Sequence, residues 1–197
     1  LYLAIEGKLA AVICVEDPLR EEAADAVREL KEAGITKVVM MTGDSERTAA
    51  AIAKRVGVDE YYSEVLPEDK ASFVEKEKEL GHKVIMIGDG INDSLALSSA
   101  SVGIAISDGA AIAREIADVT ISADNLHEIV TLKRLSTALM KRIHNNYRTI
   151  IGINGGLIAL GVTGIIMPTT SALLHNMSTL TISLRSMRNL LPKEEEA

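Results

Sequence analysis

The sequence predicts an α/β domain built on a parallel sheet flanked by helices, followed by a two-helix transmembrane hairpin. Three observations carry this. Short apolar runs alternate with helix-compatible segments over residues 37–121, the pattern of strand–helix–strand units that builds parallel sheets. One run, at 84–87, ends in Gly88-Asp89-Gly90-Ile91-Asn92-Asp93, a turn crowded with oxygen-bearing side chains. From position 149 to position 184 there is no Asp, Glu, Lys or Arg, while basic residues stand at both outer ends.

A chain of 197 residues allows one or two domains. Its net charge of −7 argues against non-specific nucleic-acid binding, so no nucleic-acid partner is expected. Cys14 is the one cysteine, which excludes a disulfide framework and fits a small core residue. Trp is absent and Phe occurs once, so the core should be aliphatic. The chain starts at Leu1 with no signal-peptide pattern and reads as a fragment that begins inside a larger protein.

Residues 2–5 and 9–15 flank Glu6-Gly7-Lys8 and predict a β-hairpin. Pro18, with Glu21 and Glu22 close behind, suits the first turn of a helix. That helix should run to about Ala33, place Ala24, Val27 and Leu30 on one face, and stop at Gly34. Residues 37–41 form the next strand, ending in Thr42-Gly43-Asp44. A helix follows from Ser45 to about Val56, with Asp44 or Ser45 as its N-cap and Gly57 as its stop. Residues 60–65 read as a weaker strand, and Pro67 with Glu68 and Asp69 opens a helix reaching about Leu80. After the strand at 84–87, residues 94–99 read as helix, 102–106 as strand, 110–117 as a short helix and 119–121 as a last strand.

The chemistry gathers at strand ends. In an open α/β sheet, ligands bind at the C-terminal tips of the strands, where the glycines allow a sharp turn. Asp89, Asn92 and Asp93 crowd one such tip. Carboxylates packed this closely repel unless a hard cation lies between them, and Mg²⁺ commonly takes one or two carboxylates plus a substrate phosphate. An Asx-rich turn that caps the next helix is the plainer alternative. Thr42 puts a hydroxyl at the tip of another buried strand. Lys70 sits in a helix first turn, where a cation is mildly unfavourable and is either a solvated surface charge or the partner of a bound phosphate.

The last third changes character. Residues 125–148 are helix-compatible and basic, and the uncharged stretch beyond is broken by Pro168. It is too long for one span of about 20 residues, and its basic flanks put both ends on the cytoplasmic side. Asn154 lies mid-span, and His175, Asn176, Ser178 and Thr179 cluster in the second half. Such groups are costly in lipid unless paired or functional, and they offer imidazole, amide and hydroxyl ligands to a cation. Interhelical hydrogen bonding is the alternative use. Gly152 and Gly156 form a GxxxG. His82, His127 and His144 stand alone and are expected to face solvent.

In this order and spacing, Thr42-Gly43-Asp44, Pro67-Glu68-Asp69-Lys70 and Gly88-Asp89-Gly90-Ile91-Asn92-Asp93 resemble the P-type ATPases. That resemblance implies a haloacid-dehalogenase-like phosphorylation domain. His175-Asn176-x-Ser178-Thr179 resembles the heavy-metal-transporting branch. The implied activity is ATP-driven transport of a transition-metal cation through an aspartyl-phosphate, with Mg²⁺ and ATP as cofactors. Thr42, in its Thr42-Gly43-Asp44 turn, would hydrogen-bond the phosphoryl group and Lys70 would neutralise it. Asp89 would bind Mg²⁺, with Asn92 and Asp93 holding the loop and Asp93 a further candidate ligand. Asn154, His175, Asn176, Ser178 and Thr179 are the candidates for the transported metal.

The implied organisation is the tail of a nucleotide-binding domain and return strand at 1–16, the phosphorylation domain at 17–124, a basic stalk at 125–148, the membrane pair at 149–191 and a tail at 192–197. The implied setting is a multi-pass membrane protein with its soluble domain cytoplasmic, partnered by the lipid bilayer and the rest of the same polypeptide. The phosphorylated aspartate of the DKTGT motif is absent from these residues, so the fragment alone should be inactive. Zinc-type pumps carry Asp where this chain has Asn176, and copper-type pumps carry Met and paired serines where it has His175, Ser178 and Thr179. The ligand set therefore favours the Zn, Cd, Mn or Co class over Cu. A membrane-tethered phosphatase of the same fold and a non-catalytic membrane module are the other readings, and the upstream residues separate them.

Overall fold

The computed structural model describes residues 2–5, 8–12, 18–88, 91–106, 115–121 and 125–190, the side chain of Ile91 excepted. Cys14, Asp17, Asp89 and most of the expected 110–117 helix lie outside the described residues. The chain divides into Leu1–Ile129 and Val130–Ala197.

In the first unit, β1 (Tyr2–Ile5) and β2 (Lys8–Val12) form the expected antiparallel hairpin. Helix α1 (Ala23–Glu32) starts later than the sequence suggests. Pro18 stands outside it, and the Ala23 N–H closes a turn onto the Arg20 carbonyl at 3.1 Å. Its buried residues are Ala23 and Ala26, so the inward face is rotated from the one expected. β3 (Val39–Met41) leads to α2 (Glu46–Val56) and β4 (Glu60–Tyr62). Ala49, Ala53 and Val56 form the buried stripe of α2, spaced as a helix facing a sheet requires. Gly57 ends it at φ 79°. α3 (Pro67–Glu79) carries Pro67 in its first turn, and the Asp69 carboxylate accepts the Leu66 N–H at 3.2 Å.

β5 (Ile85–Gly88), a 3-10 turn at Ile91–Asp93, α4 (Ser94–Ser99), β6 (Val102–Ile106) and β7 (Val119–Ile121) follow. All pairings from β3 onward are parallel, as expected. They form two separate ladders, however: β3–β4, and β5–β6–β7. Among the described residues β3 and β5 each keep one unpaired edge. The buried hydrophobic residues are all aliphatic. Leu97 and Ala105 centre one cluster with Met86 and Ala117 packed against it. Gly103 is required there, because a Cβ would stand 2.6 Å from the Leu97 carbonyl oxygen.

The second unit is a pair of helices. The expected stalk and first span merge into one 36-residue helix, α5 (His127–Val162). Gly164, at φ 74°, ends it, with the Ile165 N–H on the Leu160 carbonyl at 3.0 Å. α6 (Pro168–Ser186) starts at the expected proline and has no buried residue. Among the described residues, no helix is long and apolar enough to cross a membrane. The reason is local. The turn after Val162 removes Ile165, Ile166 and Met167 from the helix, and α6 spends many positions on Thr, Ser, His and Asn.

The three remaining histidines are not solitary. His82 Nδ1 lies 2.6 Å from Glu77 Oε2, His127 Nδ1 lies 3.5 Å from Glu29 Oε1, and His144 Nδ1 lies 2.8 Å from the Met140 carbonyl. Each partner is close in space, and for His127 it is remote in sequence.

Candidate functional site

The site grows from two strand tips. At the end of β3, the Thr42 N–H is held by the Tyr62 carbonyl at 3.0 Å, and the Thr42 carbonyl accepts the Val65 N–H at 3.0 Å. The strand is therefore continued one residue past Met41, and Thr42 is fixed as the first residue of the turn. Its hydroxyl donates to Asp44 Oδ2 at 2.8 Å and accepts the Asp44 N–H at 3.1 Å. Gly43 and Asp44 are exposed, whereas Thr42 is half-buried. The Asp44 carbonyl accepts the Glu64 N–H at 2.9 Å, and Glu64 takes a left-handed backbone at φ 53°. This tie brings residues 64–66 alongside the β3 tip and aims α3 at the second strand tip. Ser45 occupies the N-cap position of α2, so Asp44 is left to Thr42.

Lys70, in the first turn of α3, reaches Asp93 Oδ1 at 2.8 Å. The two side chains are only 16% and 11% exposed. A solvated surface lysine is thereby excluded: the cation is withdrawn from water and matched by a carboxylate 23 residues away. Asp93 is the one buried charged residue among the described residues. It is held by Gly88 as well, where a Cβ would stand 2.6 Å from the Asp93 Cβ and 2.8 Å from its Oδ2. Glycine at this strand tip is a packing demand of the carboxylate beside it. Asn92 is exposed in the 3-10 turn.

A divalent cation fits this donor set. Asp93 packs directly on Gly88 and presents hard oxygen at this strand tip. Mg²⁺ needs few carboxylates when a phosphate and water complete its shell. Among the described residues no group of three His, Cys, Asp or Glu could hold a metal unaided.

Beside the β3 tip, Glu46 accepts the Ser63 hydroxyl at 2.6 Å and the Tyr61 hydroxyl at 2.8 Å. These bonds hold the Glu46 carboxyl below its ordinary range and push the Tyr61 phenol up. Nothing in the sequence pattern flagged this clamp, which fixes α2 to the segment leaving β4.

In the helix pair, the structure brings Asn154 and His175 together: His175 Nδ1 lies 2.8 Å from Asn154 Oδ1. An amide oxygen only accepts, so Nδ1 is the donor in this pair. The Ser178 and Thr179 hydroxyls both donate to the His175 carbonyl, at 2.8 and 3.1 Å. Asn176 is exposed. Arg142 was not anticipated. Its guanidinium donates to the Ser186 and Asn189 carbonyls at 3.0 Å each, and also to that of Arg188, joining α5 to the C-terminal end of α6.

The haloacid dehalogenase-like hydrolase family model matches residues 2–101. A copper-transporting ATPase of Rhizobium meliloti is 44% identical over 88% of this chain and 21% of its own length. A manganese-exporting P-type ATPase of Mycobacterium bovis is 38% identical over 95% of this chain and 26% of its own. A crystal structure of a zinc-transporting PIB-type ATPase in its E2.Pi state superposes with a TM-score of 0.86 at 32% identity, covering 95% of this chain and 30% of that one. The fold and the motifs at its strand tips define the class, and the chain belongs to the haloacid dehalogenase-like hydrolase family. Within that family, its relatives are heavy-metal P-type ATPases. The chain spans about a quarter of the length of the curated relatives it matches.

Proposed function

We propose that this chain is the phosphorylation-domain and helix-pair segment of a membrane pump that uses ATP to move a transition-metal cation. The carrying observation is the Lys70–Asp93 pair at 2.8 Å, which links the helix reached from the β3 tip to the β5 tip. A phosphoryl group between these tips meets a hydroxyl, an ammonium and a carboxylate-rich turn, the parts that phosphoryl transfer requires.

Thr42 orients the phosphoryl oxygens through its hydroxyl. Lys70, preset by Asp93, balances their charge. Asp89 and Asp93 hold Mg²⁺, with Asn92 bracing the turn. When bound, Mg²⁺ offsets charge on the transferred group. The nucleophile is a carboxylate carried upstream of these residues. Its acyl-phosphate splits the hydrolysis of ATP into two steps. The strand bearing it would pair with an unpaired edge of β3 or β5, since parallel sheets are buried within the fold.

The helix pair carries the cargo site and lies in the membrane, with both of its outer ends cytoplasmic. Supporting this, α6 has no buried residue, and Ile150, Ile151, Leu173, Leu174, Leu180 and Leu184 are all exposed, a surface too apolar to remain in water. His175 offers Nε2 to the metal, and Asn154 acts by holding the ring rather than as a ligand. Imidazole with hydroxyl and amide oxygens favours a divalent ion of the Zn, Cd, Mn or Co class over Cu⁺.

The test is phosphoenzyme formation by the full-length protein with labelled ATP. Asp89→Asn and Lys70→Ala are expected to lower it by roughly 100-fold or more, and His175→Ala to remove its metal dependence while leaving phosphorylation from inorganic phosphate intact. Normal labelling of Asp89→Asn with Mg²⁺ would overturn the site assignment.

A further inference from the structure

At the end of the helix pair where α6 terminates, Arg142, Lys141, Arg185 and Arg188 line a cavity of about 360 Å³. The end of a helix presents unpaired carbonyls and a partial negative charge that one cation can satisfy. Arg142 does so alone, with its three carbonyl bonds. Asn146 is also committed, its Nδ2 donating to the Ser186 hydroxyl at 2.7 Å. Lys141, Arg185 and Arg188 are exposed, and among the described residues none of the three makes an ion pair. Three like charges around one small cavity repel one another unless an anion enters.

The surroundings identify the anion. Beside the lining residues stand exposed apolar ones, Ile150 and Ile151 on α5 and Leu180 and Leu184 on α6. Charge with hydrocarbon next to it matches a molecule with an anionic phosphate at one end and acyl chains at the other. We propose that Lys141, Arg185 and Arg188 form a binding site for the phosphate of an anionic phospholipid, with Arg142 the positioning residue that ties α5 to the end of α6. Basic pockets between helices at the cytoplasmic face are suited to such headgroups. The inference rests on the membrane placement proposed above.

The experiment uses the full-length protein in uncharged detergent and follows its unfolding temperature during titration with phosphatidylglycerol, phosphatidylcholine or inorganic phosphate. Phosphatidylglycerol is expected to raise Tm saturably and the other two are not. Each charge contributes roughly 5-fold, so the Lys141→Gln/Arg185→Gln/Arg188→Gln variant should need on the order of 100-fold more phosphatidylglycerol for half its effect. Lys133→Gln, away from the cavity, should titrate as the parent does. If the triple variant fails to fold, Arg185→Lys/Arg188→Lys should keep the response and Lys141→Gln alone should weaken it about 5-fold. An unchanged titration in the charge-removed variants overturns the proposal, and so does an equal Tm rise with inorganic phosphate, which would assign the cavity to a soluble anion. Alkaline carbonate extraction separates this from the parent reading. A protein released from membranes refutes the membrane placement itself, whereas a protein that stays while its lipid response ignores the substitutions refutes the lipid site alone.

Discussion

Lys70 shows what a single residue can and cannot announce. Its position in a helix first turn is locally unfavourable, and that mismatch was visible in the sequence. Its partner was not, because nothing in the order of residues states that Asp93 lies 2.8 Å from its ammonium. With both side chains largely withdrawn from water, removing one leaves the other charged and unmatched. Lys70→Met is therefore expected to destabilise the domain by about 1–3 kcal/mol, read as a lower urea midpoint with unchanged m. Gly88 was read from sequence as a turn glycine, but its role is to make room for Asp93. Gly88→Ala would set a methyl 2.6 Å from the Asp93 Cβ, which cannot yield as a flexible side-chain end would. A cost of about 1–3 kcal/mol is expected, with displacement of Asp93 visible as a weaker Mg²⁺ dependence in the full-length protein.

At the scale of elements, strands and most helix boundaries were legible because their signals are local. Proline opens α3 and α6 and glycine closes α2, as their backbone preferences require. α1 was misplaced because Pro18 and the acids after it are a first-turn signal that the fold satisfies with a loop and a turn instead. Ties between elements were not legible. Asp59 accepts Lys31 Nζ and the Val38 N–H, both at 2.7 Å, pinning the end of α1 to the entry of β3. These bonds hold the Asp59 carboxyl below its ordinary range, the Lys31 bond first. An acid whose folded pKa is depressed contributes stability above its unfolded value of about 3.9, and that contribution disappears as pH falls through the lower folded value. Urea midpoints taken from pH 6 down to pH 2 should thus fall less steeply for Asp59→Asn than for the parent. Glu46, clamped by Ser63 and Tyr61, should behave alike, so Glu46→Gln should flatten the same acidic limb.

Across the whole molecule, the sequence separated a charged α/β part from an uncharged helical part. Pro168, which divides the second part, was also legible there. Hydropathy was read over an unbroken stretch, whereas the helices stop at Val162 and resume at Pro168. The sheet was read as continuous because alternation fixes strand order along the chain and not lateral neighbours. Among the described residues the parallel strands form two ladders, and β3 and β5 each keep an unpaired edge.

Those bare edges bear on handling. A row of unsatisfied amide and carbonyl groups along an apolar strand is a template for strands of other molecules. Expressed without the polypeptide that normally precedes it, the chain should self-assemble as its concentration rises, giving growing light scattering and thioflavin fluorescence. Restoring the upstream segment, even as a separate peptide, should leave a clear solution.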